Sequence, residues 1–270
     1  MVLDQIIWDV SPIIVKLGGI QVRWYGLLFA LAFVFGYIVL ERQVFKREGL
    51  KVELLDKLAT YVIIGTVIGA RLGHVLFYEP EYYLSNPIKI LAIWQGGLAS
   101  HGAAVGILIA IWLYVRKTGK AYLWVLDRLV IVVALGGFFI RMGNLMNSEI
   151  YGHLTNLPWG FVYVQDGQTE PRHPTQIYEG LSYLILFFSL LFYYLKRYKT
   201  MLNGSIFGIF LIVLFGVRFL IEFLKEPQVE FENTMALNMG QWLSVPFILF
   251  GIWLLWKNIK AQAALTKGKN

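Results

Sequence analysis

An arginine, two asparagines and a glutamate close one of the most apolar runs of the chain. Residues 129–139 read LVIVVALGGFF, and residues 140–152 follow without a linker as IRMGNLMNSEIYG, carrying Arg141, Asn144, Asn147 and Glu149. A guanidinium is suited to phosphate or carboxylate, which it grips through parallel N–H donors. Other ionisable residues interrupt apolar stretches in the same way. Arg71, His74 and Tyr78 are spaced i, i+3, i+7 and share one helical face. Arg218 and Glu222 stand four apart and can pair directly. His101 follows a Gly-Gly pair in QGGLASHGAAVG. RHPTQIYEG opens a further apolar run, in which Pro174 suits a first helical turn and Gln176, Glu179 and Tyr183 line one face. Each has a plainer role open to it. Arg218 and Glu222 can satisfy each other, a lone histidine near a helix end can be a hydrogen-bonded packing residue, and asparagines can simply close a helix.

The elements that position these residues are membrane helices. The chain of 270 residues is 57% hydrophobic and only 15% charged, with a mean hydropathy of +0.61. An average soluble protein has about 45–50% apolar and about 25% charged residues. Seven stretches can cross a hydrocarbon core of about 30 Å, near residues 23–40, 58–78, 98–115, 122–140, 177–195, 205–224 and 240–256. The segment NPIKILAIWQGGLASHG before the third is apolar too. It suits a half-inserted or re-entrant piece, provided protein covers its backbone. The chain thus reads as an all-α polytopic integral membrane protein forming a single domain over residues 1–270. Basic residues gather in alternate connections: ERQVFKREGLKVELLDK, RKTGK, KRYK and a tail with Lys257, Lys260, Lys267 and Lys269. By the positive-inside rule these are cytoplasmic, which puts the N-terminus outside, the C-terminus inside and the connection 141–176 outside. The net charge of +7 follows this topology and forms no nucleic-acid-binding face, so no nucleic-acid partner is expected. The N-terminus lacks the basic and small-residue marks of a removed signal peptide. Gly65, Gly69 and Gly73, with Gly102 and Gly106, repeat at the four-residue spacing that lets helices approach closely.

An arginine at a bilayer centre costs at least about 2.5–3.5 kcal/mol and so requires a partner or a wet cavity. Four spans place ionisable groups in or near the non-cytoplasmic half. Arginines converging there would suit phosphate, with histidine and glutamate available for proton transfer. Phosphate in a bilayer belongs to a phospholipid headgroup, so the residues describe a membrane protein that binds an anionic lipid. Whether the lipid is transported or transformed does not follow from them. There is no cysteine, which excludes a thiol nucleophile and thiolate metal sites in the chain itself. No tight metal-ligand spacing occurs, and neither a metal nor another cofactor is expected.

Three stretches resemble the phosphatidylglycerol–prolipoprotein diacylglyceryl transferase family of bacterial membranes. Its signature Gly-Arg-x-Gly-Asn-Phe-x-Asn-x-Glu-x-x-Gly is matched by Arg141, Gly143, Asn144, Asn147, Glu149 and Gly152, its RHP[ST]QLYE stretch by Arg172 to Glu179, and its WxGGhxxHG stretch by Trp94 to Gly102. RWYGL near the first span and the late RFLIEFLKEP match in kind and order, so the resemblance covers essentially the whole chain. Ile140 stands where the family often has glycine, Leu145 replaces phenylalanine, and Ala103 stands where a further glycine is usual. All three keep apolar or small character and bear on local packing.

The resemblance implies transfer of the diacylglyceryl group of phosphatidylglycerol to the lipobox cysteine thiol in the signal peptide of a preprolipoprotein. Glycerol 1-phosphate leaves, and the work is done in the bacterial cytoplasmic (inner) membrane. The nucleophilic sulfur then arrives with the substrate. Arg141 and Arg218 match arginine positions essential to the family and would stabilise the leaving phosphate. His101 would either take the thiol proton or position the headgroup. Tyr25, Asn144, Glu149, His173, Glu179 and Glu222 would orient the arginines, the lipid or the lipobox. A transporter would show internal repeats and paired broken helices, and none stands out. The N-acyltransferase chemistry of the same pathway needs the missing cysteine. A serine intramembrane protease would rest on Ser100 and His101, which as helix neighbours point about 100° apart.

Overall fold

The structure, a computed structural model, describes residues 5–18, 20–93, 96–226 and 235–267. Trp94 and Gln95 of the Trp94–Gly102 stretch, Pro227 at the end of RFLIEFLKEP, and Lys269 of the basic tail lie outside the described residues. In order, the elements are β1 (Ile6–Trp8), β2 (Ile13–Leu17), β3 (Ile20–Arg23), α1 (Trp24–Val39), α2 (Val52–Phe77), α3 (Pro80–Ser85), α4 (Ser100–Thr118), α5 (Tyr122–Met146), β4 (Phe161–Tyr163), α6 (Thr175–Arg197), α7 (Ser205–Ile221) and α8 (Met239–Lys267). The chain divides into two compact units, Met1–Ile38 with Asp127–Asn270, and Val39–Leu126.

Among the described residues six helices are long and apolar enough to cross a membrane: Trp24–Phe45, Val52–Phe77, Tyr122–Met146, Thr175–Arg197, Ser205–Leu224 and Met239–Ala264. The chain is therefore a mostly helical, multi-pass membrane protein. The remaining expected span falls on α4, a helix of 19 residues. Polarity in α6 is inverted relative to a soluble helix. Gln176, Glu179, Tyr183, Leu190 and Tyr194 are buried, while Leu181, Ile185, Phe188 and Phe192 face outward. A helix arranged this way is stable where its surroundings are hydrocarbon and its polar face has protein partners.

In the Val39–Leu126 unit, α2 and α4 meet through glycines. A Cβ on Gly69 would lie 2.4 Å from the Gly102 carbonyl oxygen, and one on Gly106 would lie 2.1 Å from that of Gly65. Only hydrogen fits at either position, as the four-residue spacing implied. The apolar segment ahead of α4 forms a 3₁₀ turn, Pro87–Leu91, and runs as irregular backbone over residues 96–99. Arg71 covers that backbone, donating to the carbonyls of Ile90 (2.8 Å), Gly96 (2.7 Å), Gly97 (3.1 Å) and Lys89 (2.6 Å). Gly97 takes φ +71° there, and a side chain on it would strike His74 and Arg71.

In the other unit, β1 and β4 pair in parallel, and the Trp8 indole donates to the Leu145 carbonyl at 3.0 Å. The N-terminal strand thereby tethers the end of α5. The opposite end of α5 holds α7. Asp127, fully buried, accepts from the amides of Gly204 (2.6 Å) and Phe207 (2.8 Å). These are orphan donors at the start of α7, where a carboxylate also opposes the positive end of the helix dipole. Since α5 carries Arg141 and α7 carries Arg218, this cross-helix cap fixes the two arginine helices to each other. Asp127→Ala should lower stability by about 1–2 kcal/mol. Asp127→Asn, which retains one acceptor, should lose less; thermal melting in detergent checks both, and no difference from the parent protein would show that the cap contributes nothing.

Candidate active site

Arg141 stands near the end of α5 with its side chain 12% exposed, and its Nε lies 2.7 Å from Oε2 of the fully buried Glu179 on α6. The approach is off the N–H axis, so the contact is an ion pair and Oε2 receives no linear hydrogen bond. Nη1 of Arg141 donates to Oδ1 of Asn144 at 3.1 Å. The other oxygen of Glu179 takes the ammonium of Lys225 at 3.0 Å and, at 3.5 Å, the hydroxyl of Tyr183. Lys225 also lies 3.2 Å from Oε2 of Glu222. A chain of alternating charge thus runs Arg141, Glu179, Lys225, Glu222. Each buried ion in it has a partner of opposite sign, which the low-dielectric interior requires.

Asn144 continues the network from its other end. Its amide donates to Oε1 of Glu149 at 2.8 Å, and Asn147 donates to the same oxygen at 3.1 Å. The backbone bends sharply to bring this carboxylate back toward the helix it has just left. Ser148 and Ile150, on either side of Glu149, take φ of 54° and 60°. Left-handed backbone costs a non-glycine residue about 1–3 kcal/mol and is least tolerated by a β-branched one. The first turn of α6 holds the bend, with Gln176 donating to the Glu149 carbonyl at 2.7 Å and Thr175 to that of Ile150 at 2.8 Å. Tyr163 in turn holds Gln176 at 3.0 Å. The IRMGNLMNSEIYG and RHPTQIYE stretches, separated by 19 residues in sequence, form one structure here.

Tyr25, on α1, lies against this turn. A Cβ on Gly143 would be 2.7 Å from its ring, and the ring is within electrostatic reach of both Glu149 and Arg141. His173 precedes α6, with Nδ1 3.3 Å from the Tyr178 hydroxyl. Burial, with the neighbouring His153 second, pushes the His173 imidazole below its ordinary value.

Arg218, on α7, does not form the direct pair with Glu222 that their spacing allows. The α-helix stops at Ile221 and a 3₁₀ turn, Glu222–Leu224, follows. Such a turn eclipses residues three apart, and the Glu222 carboxylate points to Lys225 instead. Among the described residues no carboxylate lies within ion-pair distance of Arg218. Its charge, like that of Arg141 on a separate helix, is within electrostatic reach of the Tyr183 hydroxyl.

Of the candidates named from sequence, Tyr25, Arg141, Asn144, Glu149, Glu179 and Glu222 meet in one network, with Arg218 beside it and His173 at its outer edge. Lys225, which is not among those candidates, joins the network from inside the RFLIEFLKEP stretch. The sequence signal for it is the carboxylate of Glu222 three residues before it. In the other unit, His101 opens α4 and is exposed. It stacks on Tyr78 (5.8 Å between centroids) and meets Phe77 edge-on (5.4 Å). Arg71, considered above for phosphate, spends its donors on the loop carbonyls and lies over the Tyr83 ring at 4.7 Å, so its guanidinium is structural. Among the described residues no cluster of three or more His, Cys, Asp or Glu side chains is placed to hold a metal ion.

The sequence pattern of the family described as prolipoprotein diacylglyceryl transferase matches residues 12–257. Among curated proteins, the phosphatidylglycerol–prolipoprotein diacylglyceryl transferase of Tolumonas auensis is 50% identical over 260 residues, covering 96% of this chain and 100% of its own. The proteins of the same name from Porphyromonas gingivalis and Bacteroides fragilis are 46% and 44% identical, each over 94% of this chain and 95% of their own.

Glu179 is the residue on which the pairing turns, since it neutralises both Arg141 and Lys225. Glu179→Ala should destabilise the protein by about 3–5 kcal/mol, the usual cost of stripping one partner from a buried pair. A melting temperature in detergent equal to that of the parent protein would contradict this assignment.

Proposed function

The chain belongs to the prolipoprotein diacylglyceryl transferase family, and from that premise we propose that Arg141 and Arg218 grip the phosphate of phosphatidylglycerol while its diacylglyceryl group passes to a substrate thiol. The chain is a transferase of lipoprotein biosynthesis. It transfers the diacylglyceryl group from phosphatidylglycerol to the lipobox cysteine of a preprolipoprotein, the first step of lipoprotein maturation.

In that step a C–S bond forms as the C–O bond between the diacylglyceryl carbon and the headgroup phosphate breaks. The departing glycerol 1-phosphate carries one more negative charge than the diester did, so cations beside the phosphate stabilise the transition state more than the ground state. The observation that carries this assignment is the state of Arg218: a half-buried guanidinium on a membrane helix, with no carboxylate within ion-pair distance among the described residues, and within electrostatic reach of the same Tyr183 hydroxyl as Arg141. Arg141 contributes from a fixed position, since Glu179 and Asn144 hold it. Asn144 and Glu149, set by the strained turn, together with Tyr25 and Glu179, orient these cations, and Glu222 is tied to them through Lys225. His173, whose Nδ1 lies 3.3 Å from the Tyr178 hydroxyl, would help to orient the lipid or the lipobox.

The thiol must also lose a proton, because thiolate is the attacking species and free cysteine titrates near about 8.5. His101 serves either as that base or as a headgroup contact, and one variant separates the two roles. The same reading makes α4 a seventh span, since its 19 residues give about 28 Å of helix. Seven spans and the basic connections put the N-terminus outside and the C-terminus in the cytoplasm. The chain then works as one integral domain of the bacterial cytoplasmic membrane.

Purified protein, phosphatidylglycerol and a lipobox peptide, followed by mass spectrometry for the diacylglyceryl adduct, test the reading. Arg141→Ala should abolish the adduct while the folded protein persists in detergent, and unchanged turnover would remove Arg141 from the mechanism. Arg218→Lys should lose about tenfold or more in kcat/KM, because lysine lacks the planar fork; near-normal activity would show that Arg218 only packs. If His101 is the base, His101→Gln lowers the rate and flattens its dependence on pH between about 5 and 8. A high rate with the parental pH profile leaves it a positioning role.

A further inference from the structure

Arg218 and Glu222 are four residues apart, the spacing at which opposite charges on a helix usually meet. They do not meet here, and a third residue accounts for it. Lys225 is 3% exposed, and its ammonium lies 3.0 Å from Glu179 and 3.2 Å from Glu222. We propose that Lys225 is a positioning residue for the transfer reaction: it holds the Glu222 carboxylate away from Arg218 and so leaves that guanidinium free for the anionic headgroup.

Several features hold Lys225 to this task. Its backbone bridges to Gly152 in antiparallel fashion, and His153 donates to the Leu224 carbonyl at 2.8 Å. A Cβ on Gly152 would lie 2.2 Å from that carbonyl oxygen, so the last glycine of the IRMGNLMNSEIYG stretch is the one that admits the 224–225 segment. The adjacent Glu226 pairs with Arg172, whose guanidinium lies over Tyr151. On the other side of Glu222, the start of α8 gives way to it, for a Cβ on Gly240 would fall 2.5 Å from the carboxylate carbon. The Glu222 side chain is therefore received at both ends of its reach, by Lys225 and by a glycine, and neither contact involves Arg218. Without the ammonium, the cation at helical spacing from Glu222 is Arg218, four residues before it. The resulting internal pair would compete with phosphate for the same donors.

This inference rests on the role proposed for Arg218, and the experiment separates the two. Initial rates with phosphatidylglycerol in mixed micelles and a lipobox peptide give kcat and the apparent KM for lipid. Lys225→Met should raise that KM by about tenfold or more, with a smaller effect on kcat. Lys225→Arg should restore it. The decisive variant is Lys225→Met with Glu222→Gln, which removes the competing carboxylate. It should bind lipid better than Lys225→Met alone, the opposite of what two independent losses would give. If Lys225→Met does not fold, Lys225→Gln keeps a hydrogen-bond donor for both carboxylates and takes its place, with the same rescue expected. A parental KM in the folded Lys225 variant, or a double variant no better than the single, overturns the inference while Arg218→Lys remains impaired. If the parent protein makes no adduct, the functional reading itself falls.

Discussion

A cation buried in a membrane interior must find a counter-charge, yet a site that takes up an anion needs one cation that has not found it. Under the proposed function, the arrangement of Arg141 and Arg218 answers that conflict. Arg141, Glu179, Lys225 and Glu222 neutralise one another in sequence through contacts of 2.7–3.2 Å. Arg218 stays outside the series. A bound phosphate would complete the pairing for Arg218, and the extra charge that develops on it as the C–O bond breaks would strengthen the interaction further. Binding and catalysis then draw on the same unmet electrostatic demand.

Rigidity is what keeps the demand unmet. A free guanidinium within reach of a carboxylate collapses onto it unless the surrounding structure forbids the motion. Here the α-helix ends one residue before Glu222, the Gly152 bridge fixes the Lys225 backbone, and Asp127 ties α7 to α5 at the far end. The strained turn at Ser148–Ile150 does the same for Glu149, whose carboxylate accepts from two asparagine amides and meets no cation within ion-pair distance among the described residues. Local backbone strain of this kind persists only where neighbouring elements over-determine it, and the first turn of α6 supplies that constraint.

Much of this was legible in the sequence because it is local. The inverted polarity of α6, the glycine repeats on α2 and α4, and the polar close of α5 follow from periodicities of three and four residues. The helices extend past most of the hydropathy-based limits, since a helix does not stop where hydrocarbon does. What could not be read is what depends on partners distant in sequence. Arg71 is satisfied by carbonyls 18–26 residues away, which no helical wheel displays. The pairing of Ile6–Trp8 with Phe161–Tyr163 joins segments with no mutual pattern. The Arg218–Glu222 pair was a sound inference from spacing that failed because Glu222, at the turn that ends the helix, meets Lys225 instead. Lys225 escaped notice for a related reason: a lysine after an apolar run looks like a topological signal until a buried carboxylate is seen on either side of it.

The central claim is that two guanidinium groups on separate helices meet around one lipid phosphate. An experimental structure of the protein with phosphatidylglycerol bound addresses it most directly. The account predicts one phosphate within about 3 Å of donors from both Arg141 and Arg218, with Glu222 still on Lys225. A headgroup seated elsewhere, or Arg218 closed onto Glu222 with lipid present, would contradict it.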